Sequence, residues 1–150
     1  MLNNIKFIRN NKRESLIKSF YKSVQNLRGV NSFKNFIFLL TDEEGVILEL
    51  VLPCGNANFS LKKSMILKEE IAGTNAVSLA IREKKTIIVI KEQHYIEELK
   101  KLSCLASPIF NRDGNLIGVV DISSENDIGH DFAALIFLLA RDIERNYQII

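Results

Sequence analysis

Few side chains in this sequence are of the types that do chemistry, and they are widely spaced. The two cysteines, Cys54 and Cys104, form no C-x-x-C motif, and the two histidines, His94 and His130, stand at no metal-ligand spacing. The pattern therefore predicts no metal site and no disulfide framework. A single Cys54–Cys104 bridge stays open, although a reducing compartment disfavours it.

Cys104 has two interpretations. It alternates with Leu102 and Ala106 on one face of a predicted strand, where a free cysteine behaves as a small buried hydrophobe. Alternatively, it forms a redox pair with Cys54 or a metal site with His94. Because no basic residue closely flanks Cys104, nothing in the sequence activates its thiolate, and we favour the buried interpretation.

Polar residues at the start of a predicted helix form a second candidate site. Gly73-Thr74-Asn75 precedes a helical segment at 76–83, so Thr74 or Asn75 can cap that helix. Free N–H groups at the same helix end can also hold a carboxylate, a phosphate or a carbonyl oxygen. The two interpretations are compatible, and we favour the cap.

Two further polar residues stay ambiguous. His94 lies at the start of a predicted short amphipathic helix, Gln93–Lys101, and is either a hydrogen-bonding group at a cavity rim or a local cap, which we favour. Asp121 lies within a predicted strand. It either faces water, as one face of an antiparallel sheet can, or accepts a hydrogen bond from a ligand or from the Gly73–Asn75 loop.

Helical and strand patterns must position these residues. Residues 14–27 have helical spacing, with Ser15 as N-cap and Gly29 as stop, and the preceding Met1–Arg13 is expected to fray. The turns at 42–45 and 111–115 indicate two antiparallel hairpins. This order predicts an α+β domain with a central antiparallel β-sheet flanked by helices. The predicted strands are 36–40, 46–51, 86–90, 103–110 and 116–123, and the later helices are 76–83, 93–101 and 131–147.

The last predicted helix, Asp131–Tyr147, is apolar on every side for over two turns. A surface helix normally has one apolar stripe and one polar face, so this helix must be covered on two sides. The sheet covers one side. The other is covered either by the Leu16–Leu27 helix alone or by a second copy of the chain. We expect a homodimer through the Phe132–Tyr147 and Leu16–Leu27 helices.

Composition bounds the class of protein. The chain has 150 residues, 47% hydrophobic and 25% charged, as expected for one globular domain with a core. We divide it into a basic segment with a helix (1–35) and a main domain (36–150). Residues 1–28 hold seven basic residues against one acidic residue, which suits a nucleic-acid contact or, because the charges are spread out, a solvated helix face. With no membrane-length apolar run and no signal peptide, a cytoplasmic protein is expected.

Four short motifs in register carry a resemblance to a known family. In their order and spacing, over residues 36–147, they resemble the GAF sensor domain of sigma-54-dependent transcription activators of the acetoin-catabolism-regulator type. Ile17–Ser23 is also similar to the N-terminal Ile-x-x-Ser-Trp-x-Arg motif of that family. The four motifs are Leu39-Leu40-Thr41-Asp42 with Gly45, Glu70–Ala76, Gln93-His94-Tyr95, and Leu102–Ile109 followed by Asp113-Gly114 and Gly118–Asp121.

The sequence also departs from that family. Leu67 and Ser78 stand where the family usually has Trp and Gly, and Phe20 and Lys22 replace the Trp and Arg of the N-terminal motif. Since the first two positions lie around the presumed cavity, the resemblance implies a reshaped cavity and a different ligand. The sequence contains no G-x-x-x-x-G-K-[ST] phosphate loop, so the ATPase machinery of the family is not expected in this chain.

The resemblance implies a non-enzymatic, cofactor-free domain that binds a small molecule between its sheet and its helices. Ligand occupancy would pass through the packed N- and C-terminal helices to an ATPase and DNA-binding output absent from this chain. This domain itself would contact neither nucleic acid nor membrane. Two alternatives stay open: a GAF-type methionine sulfoxide reductase using Cys104, and a ligand-free dimerisation module. The expected ligand contacts are Thr74, Asn75, Cys104, Ser107 and His94.

Overall fold

The computed structural model describes residues 2–30, 33–53, 59–93, 100–126, 128 and 130–149. Within these ranges the helices and strands follow the predicted order, with an additional short helix at Glu69–Ala72 and a short 3-10 turn at Lys91–Gln93. The elements are α1 (Leu2–Arg28), β1 (Ile37–Asp42), β2 (Ile47–Val51), α2 (Glu69–Ala72), α3 (Ala76–Glu83), β3 (Ile87–Ile90), β4 (Ser103–Phe110), β5 (Leu116–Ser124) and α4 (Asp131–Ile149).

The five strands form one sheet in the order β2-β1-β5-β4-β3, and every neighbouring pair is antiparallel. Both predicted hairpins, β1–β2 and β4–β5, are present. In the β4–β5 turn, Gly114 has a φ of 80°, a conformation that glycine adopts without steric cost. The predicted α+β fold with a central antiparallel sheet is therefore confirmed.

Helices cover the two faces of the sheet unequally. The long helices α1 and α4 pack against each other on one face, and the short helix α3 covers the other. Successive strand residues alternate between the two cores. In β4 and β5, for example, Leu105 and Ile122 face α1 and α4, whereas Cys104 and Ala106 face α3.

The first helix starts earlier than predicted. It begins at Leu2, so the expected N-cap at Ser15 is wrong, whereas the expected fraying before residue 14 stays a prediction. Arg13 Nη2 donates to Asp42 Oδ2 at 2.6 Å and ties this part of α1 to the end of β1. Ser15 lies inside the helix, where its carbonyl oxygen accepts a hydrogen bond from the Ser19 hydroxyl.

A glycine allows α1 to lie close against the sheet. A Cβ atom at Gly118 would stand 2.5 Å from the carbonyl oxygen of Thr41 and 3.0 Å from Leu16 Cδ2. The first distance is shorter than any normal contact, so a larger residue here would push β5 away from β1 or from the helix. Gly118 therefore helps to set the distance between α1 and the sheet.

The region around β3 differs from the prediction. The segment 86–90 was expected to be a buried strand, but β3 is an edge strand and Ile90 is exposed. Its composition is almost entirely β-branched, which indicates a strand without fixing its place in the sheet. Most of the predicted helix at 93–101 lies outside the described residues. No helix in the described part of the chain is long and apolar enough to cross a membrane.

Candidate functional site

A small cavity lies between the sheet and α3. Its volume is about 20 Å³, which is room for about one water molecule. Side chains of the protein therefore nearly fill the hollow that the family resemblance implies. Described residues from β1, β4, β5, α3 and the segment before α2 line it: Ile37, Leu39, Phe59, Leu61, Leu67, Asn75, Ala76, Val77, Cys104, Asp121 and Ser123.

Asn75 is the N-cap of α3, as the sequence suggested. Its Oδ1 accepts from the Ser78 backbone N–H at 2.9 Å, and the Ser78 hydroxyl completes a capping box. Its Nδ2 donates to the carbonyl oxygens of Leu67 and Gly73, each at 2.9 Å. Both amide protons of Asn75 are thus used within the protein, so this side chain has little capacity left for a ligand.

Asp121 places a carboxyl group in the wall of the cavity. The residue is 4% exposed, and its Oδ1 accepts from the Ser123 hydroxyl at 2.5 Å. Burial raises the pKa of Asp121 to about 7, while the Ser123 hydrogen bond lowers it to a smaller extent. Near neutral pH the carboxyl is therefore a mixture of its charged and neutral forms. The sequence left open whether Asp121 faces water or the cavity, and the structure places it in the cavity wall.

Cys104 lies beside this carboxyl. It pairs with Ser123 across β4 and β5, and the Ser123 Oγ is 3.0 Å from Cys104 Sγ. Burial, and secondarily the charge of Asp121, raises the pKa of the Cys104 thiol well above its usual value. A buried thiol that resists ionisation is a poor nucleophile and a poor redox centre.

The structure brings together only part of the predicted site. Asn75 and Cys104 both line the cavity. Thr74 is exposed, and its hydroxyl is 3.5 Å from Glu69 Oε1. Ser107 is three residues beyond Cys104, so it lies on the opposite face of β4, where its hydroxyl is 3.0 Å from that of Thr86. The roles of all four in ligand binding stay predictions, and His94 and Cys54 lie outside the described residues.

Ser123 and most of the apolar wall of the cavity escaped the sequence analysis, which named Leu67 alone of the apolar wall residues as a cavity position. A signal for Ser123 was available, because residues two apart in a strand share a face and Asp121 was already a candidate. Phe59 and Leu61 carried no such signal, since they lie in a segment without regular structure. In the described part of the chain, no three His, Cys, Asp or Glu side chains converge where a metal ion could bind.

Comparison with known proteins identifies the fold and its relatives. A family model described as "GAF domain" matches residues 15–145. The chain is 22% identical to a "Signal-transduction and transcriptional-control protein" of Clostridium beijerinckii, over 92% of this chain and 23% of that protein. It is 32% identical to the "Acetoin dehydrogenase operon transcriptional activator AcoR" of Bacillus subtilis (strain 168), over 57% of this chain and 15% of that protein. The chain thus spans less than a quarter of the length of these relatives.

Solved structures show the same architecture. The E. coli DhaR(N)–DhaL complex contains a chain that matches 96% of this one, with a TM-score of 0.83, 17% identity and 51% of that chain covered. Free methionine-R-sulfoxide reductase from Neisseria meningitidis matches 98% of this chain, with a TM-score of 0.61, 18% identity and 86% of that chain covered. At these identities the likeness concerns the fold alone. The family model and the acetoin-related activator of Bacillus subtilis confirm the resemblance found in the sequence, and the chain belongs to the GAF domain family.

Proposed function

We propose that this chain is the small-molecule-sensing domain of a sigma-54-dependent transcription activator. It binds its ligand between the sheet and α3, and an ATPase and DNA-binding output outside this chain receives the signal. Its relatives include proteins named as transcriptional regulators, which supports a regulatory role without catalysis. Such a regulator acts on DNA, and we therefore propose a cytoplasmic location for it.

The central strand β5 is the observation that carries this proposal. Its residues alternate, so that Asp121 and Ser123 face the cavity while Val120 and Ile122 face α1 and α4. A ligand that moves β5 from the cavity side therefore changes the packing of the terminal helices α1 and α4 on its other side. A ligand that prefers one arrangement shifts the population toward that arrangement, and such coupling typically amounts to about 1–3 kcal/mol.

A thermal-shift screen of the chain against small metabolites tests the sensory function. A ligand that binds only the folded state raises Tm, and the free energy of unfolding rises by about 2.7 kcal/mol at a hundred times its Kd. Ala76 is buried in the cavity wall, so Ala76→Val should fill the remaining space and abolish the shift. Asp113→Asn is the control, because that side chain is exposed and does not line the cavity. Hits that persist unchanged in Ala76→Val, or no hits at all, would contradict the proposal.

We also propose that the domain forms a homodimer through α4 and α1. After α1 and the sheet have covered α4, Phe137 remains 44% exposed and Leu138 61% exposed. They form one strip with Ala134 and Arg141, whose guanidinium lies 4.9 Å from the Phe137 ring centre. Adjacent large apolar side chains of this kind commonly mark an interaction surface. A second copy presenting the same strip would cover it by symmetry.

The ligand-free dimerisation module is the second candidate, and the small volume of the cavity is the observation that favours it. It differs from the sensor in one outcome: no small molecule would shift Tm, while the dimer would still form. The methionine sulfoxide reductase is disfavoured by the burial of Cys104 and the raised pKa of its thiol. Unchanged reduction of free methionine sulfoxide by wild type and Cys104→Ser would exclude this residue as the nucleophile.

A further inference from the structure

A second cleft lies where α1, the β1–β2 turn, the β4–β5 turn and the end of α4 meet. Its volume is about 220 Å³, and it shares no lining residue with the cavity between the sheet and α3. Hydrogen-bond donors from α1, from the β4–β5 turn and from α4 line it, and this set differs from the mostly apolar wall of the cavity. The donors belong to Arg9, Lys12, Arg13, Asn111, Asn115 and Tyr147.

Three basic side chains of α1 form one side of this cleft. Arg9, Lys12 and Arg13 stand at positions i, i+3 and i+4, so they share one face of the helix. Arg9 and Lys12 are exposed, and neither forms an ion pair with any residue that the structure describes. Like charges this close repel each other on a helix, so an anion held between them lowers that repulsion.

Arg13 adds a donor that the fold does not use. Its Nη2 bonds Asp42 Oδ2 at 2.6 Å, but its Nε is buried and has no hydrogen-bond partner among the described residues. A buried donor without an acceptor costs free energy, and most such groups in folded proteins are paired. An acceptor oxygen bound in the cleft would supply the missing partner.

Neutral donors complete the lining. Asn111 Oδ1 accepts from the backbone N–H groups of Asp113 and Asn115, each at 3.0 Å, which leaves the amide protons of Asn111 available. The side-chain amide of Asn115 and the Tyr147 hydroxyl likewise donate to no other described residue. Cationic and neutral donors from three elements thus converge on one cleft.

We infer that this cleft binds a small organic phosphate monoester. A phosphate offers three strong acceptor oxygens and carries close to two negative charges at neutral pH, which suits several donors arriving from different elements. The carbon part of the ligand packs against the ring of Tyr147 and the side chains of Leu116 and Ile117, which also line the cleft. This site is independent of the proposed sensory function, because no residue of the cavity takes part.

Charge, acceptor number and size argue against the other classes. A cation would meet three basic side chains, and a carboxylate has only two oxygens for these donors. Glu43 lines the cleft and Asp42 is bonded to Arg13, so the positive excess is small and the neutral donors must contribute to binding. The volume of about 220 Å³ lies below the roughly 300 Å³ at which drug-sized sites begin, which indicates a small metabolite.

NMR titration of the full chain at about pH 7.5, above the second phosphate pKa of about 6, tests the inference. The four probes are phenyl phosphate, phenyl sulfate, inorganic phosphate and phenol. Phenyl phosphate should bind at least about tenfold more tightly than each of the others, because it alone combines two negative charges with an apolar ring. The amide shifts should centre on residues 12–16 and 111–117 and leave residues 75–77 unchanged.

Substitutions in the cleft should weaken this binding. Arg9→Gln combined with Lys12→Gln should raise the Kd for phenyl phosphate at least about tenfold, and Tyr147→Phe should raise it about threefold. Lys18→Gln combined with Lys22→Gln is the matched control, because it removes two exposed charges of α1 that do not line the cleft. This control should bind as the wild type does. Spectra of the ligand-free variants show whether each keeps the fold.

Four results would overturn the inference: inorganic phosphate or phenol binding as tightly as phenyl phosphate, equal losses in the two double variants, shifts centred on the cavity, or no binding by any probe. Two larger bodies carry the same phosphate chemistry. These are vesicles of phosphatidylcholine with phosphatidic acid and a single-stranded thymidine oligonucleotide, and neither should displace phenyl phosphate. Displacement by either would mean that the cleft serves a membrane or a nucleic acid, and the inferred ligand class would be wrong.

Discussion

At the scale of single residues, Asp121 should make the stability of the fold depend on pH. Its pKa is raised from 3.8 to about 7, so between these values the folded state holds a proton that the unfolded state releases. The free energy of unfolding must then fall as pH rises through this window, by at most about 4 kcal/mol, and change no further above it. Urea unfolding at about pH 5 and about pH 8 should show this fall in the wild type and not in Asp121→Asn.

The comparison has a matched control in the exposed β4–β5 turn. Asp113→Asn makes the same chemical change at an exposed position, so its pH profile should run parallel to that of the wild type. Asp121→Asn should also be more stable than the wild type at the higher pH, because it removes a buried charge. Parallel profiles for the wild type and Asp121→Asn would show that this carboxyl titrates as it does in water.

Asn75 should matter for folding more than for binding. Asn75→Ala removes the cap of α3 and leaves the carbonyl oxygens of Leu67 and Gly73 without their donor. The expected loss is about 2–3 kcal/mol in the free energy of unfolding, measured by urea titration. Asn75→Ser keeps a cap acceptor but cannot serve both carbonyls, so it should lie between Asn75→Ala and the wild type.

The neighbouring residue provides the control for this series. Thr74→Ala changes an exposed side chain whose hydroxyl lies 3.5 Å from Glu69, so its effect should stay within about 0.5 kcal/mol. Equal losses for Thr74→Ala and Asn75→Ala would mean that the cap contributes nothing beyond helix propensity. Ligand-binding assays on Asn75 variants need correction for this loss of stability.

At this scale, the sequence could predict the position of a residue only where that position is determined by its neighbours in the sequence. The cap of α3 follows from residue type and its place before a helix, and the sequence predicted it as Thr74 or Asn75, of which Asn75 is the cap. Cys104 and Ser107 were assigned to one cavity although an odd spacing puts them on opposite faces of a strand, so the sequence itself could have corrected that. Whether Asp121 lies in the cavity depends on which face of the sheet α3 covers. That is determined by the tertiary structure and not by the local sequence.

At the scale of elements, three polar contacts between described residues hold α1 along its length. Arg13 bonds Asp42 of β1 at 2.6 Å, the Tyr21 hydroxyl donates to Glu49 of β2 at 2.7 Å, and Ser23 accepts from Asn146 Nδ2 of α4 at 2.8 Å. Burial, together with Glu49, raises the pKa of Tyr21 to about 12. These contacts fix how α1 lies on the sheet, in addition to the apolar side chains between them.

Arg13→Met should release the first part of α1. The Asp42 carboxylate is 1% exposed and would keep two backbone donors, those of Glu44 and Val46. The global cost should therefore be modest, about 1–2 kcal/mol. The local effect should be larger: amide hydrogen exchange in residues 2–12 should accelerate, while exchange in α4 stays slow.

Lys12→Met is the control for Arg13→Met, since it removes an exposed charge from the adjacent position and leaves the ion pair intact. Its exchange pattern should match that of the wild type. If both variants accelerate exchange equally, the helix is stabilised by the positive charge of this segment and not by the bond between Arg13 and Asp42.

Among the helices and strands, too, those with local causes were predicted and those with long-range causes were not. The β4–β5 hairpin follows from an Asp-Gly turn between apolar runs, which is local chemistry, and its predicted strands differ from the observed ones by a single residue at the end of β5. The start of α1 was missed because its first half is polar and gains its order from Asp42, far away in sequence. β3 was expected to be buried because its composition gives no sign of whether a strand lies at an edge.

At the scale of the whole molecule, the sheet separates a cavity from a helix pair, and α4 presents an apolar strip to the outside. The ligand and the neighbouring copy would thus act on opposite faces of the same strands. Occupancy of the cavity would reach the proposed dimer interface through β5 and α4, because Ile136 and Ile143 of α4 are buried in the same core as Val120 and Ile122. Signalling by this route requires that the dimer exist.

Leu138→Glu should therefore dissociate the dimer. Placed in a symmetric interface, the substitution buries two like charges and removes two apolar contacts, and the dissociation constant should rise at least about tenfold. Sedimentation velocity at increasing concentration measures this. Gln148→Glu, at an exposed polar position of the same helix, adds the same charge and should leave the dimer intact. If the wild-type chain sediments as a monomer at high micromolar concentration, the proposed interface does not form. The proposed route by which the cavity signals through the dimer would then also be wrong.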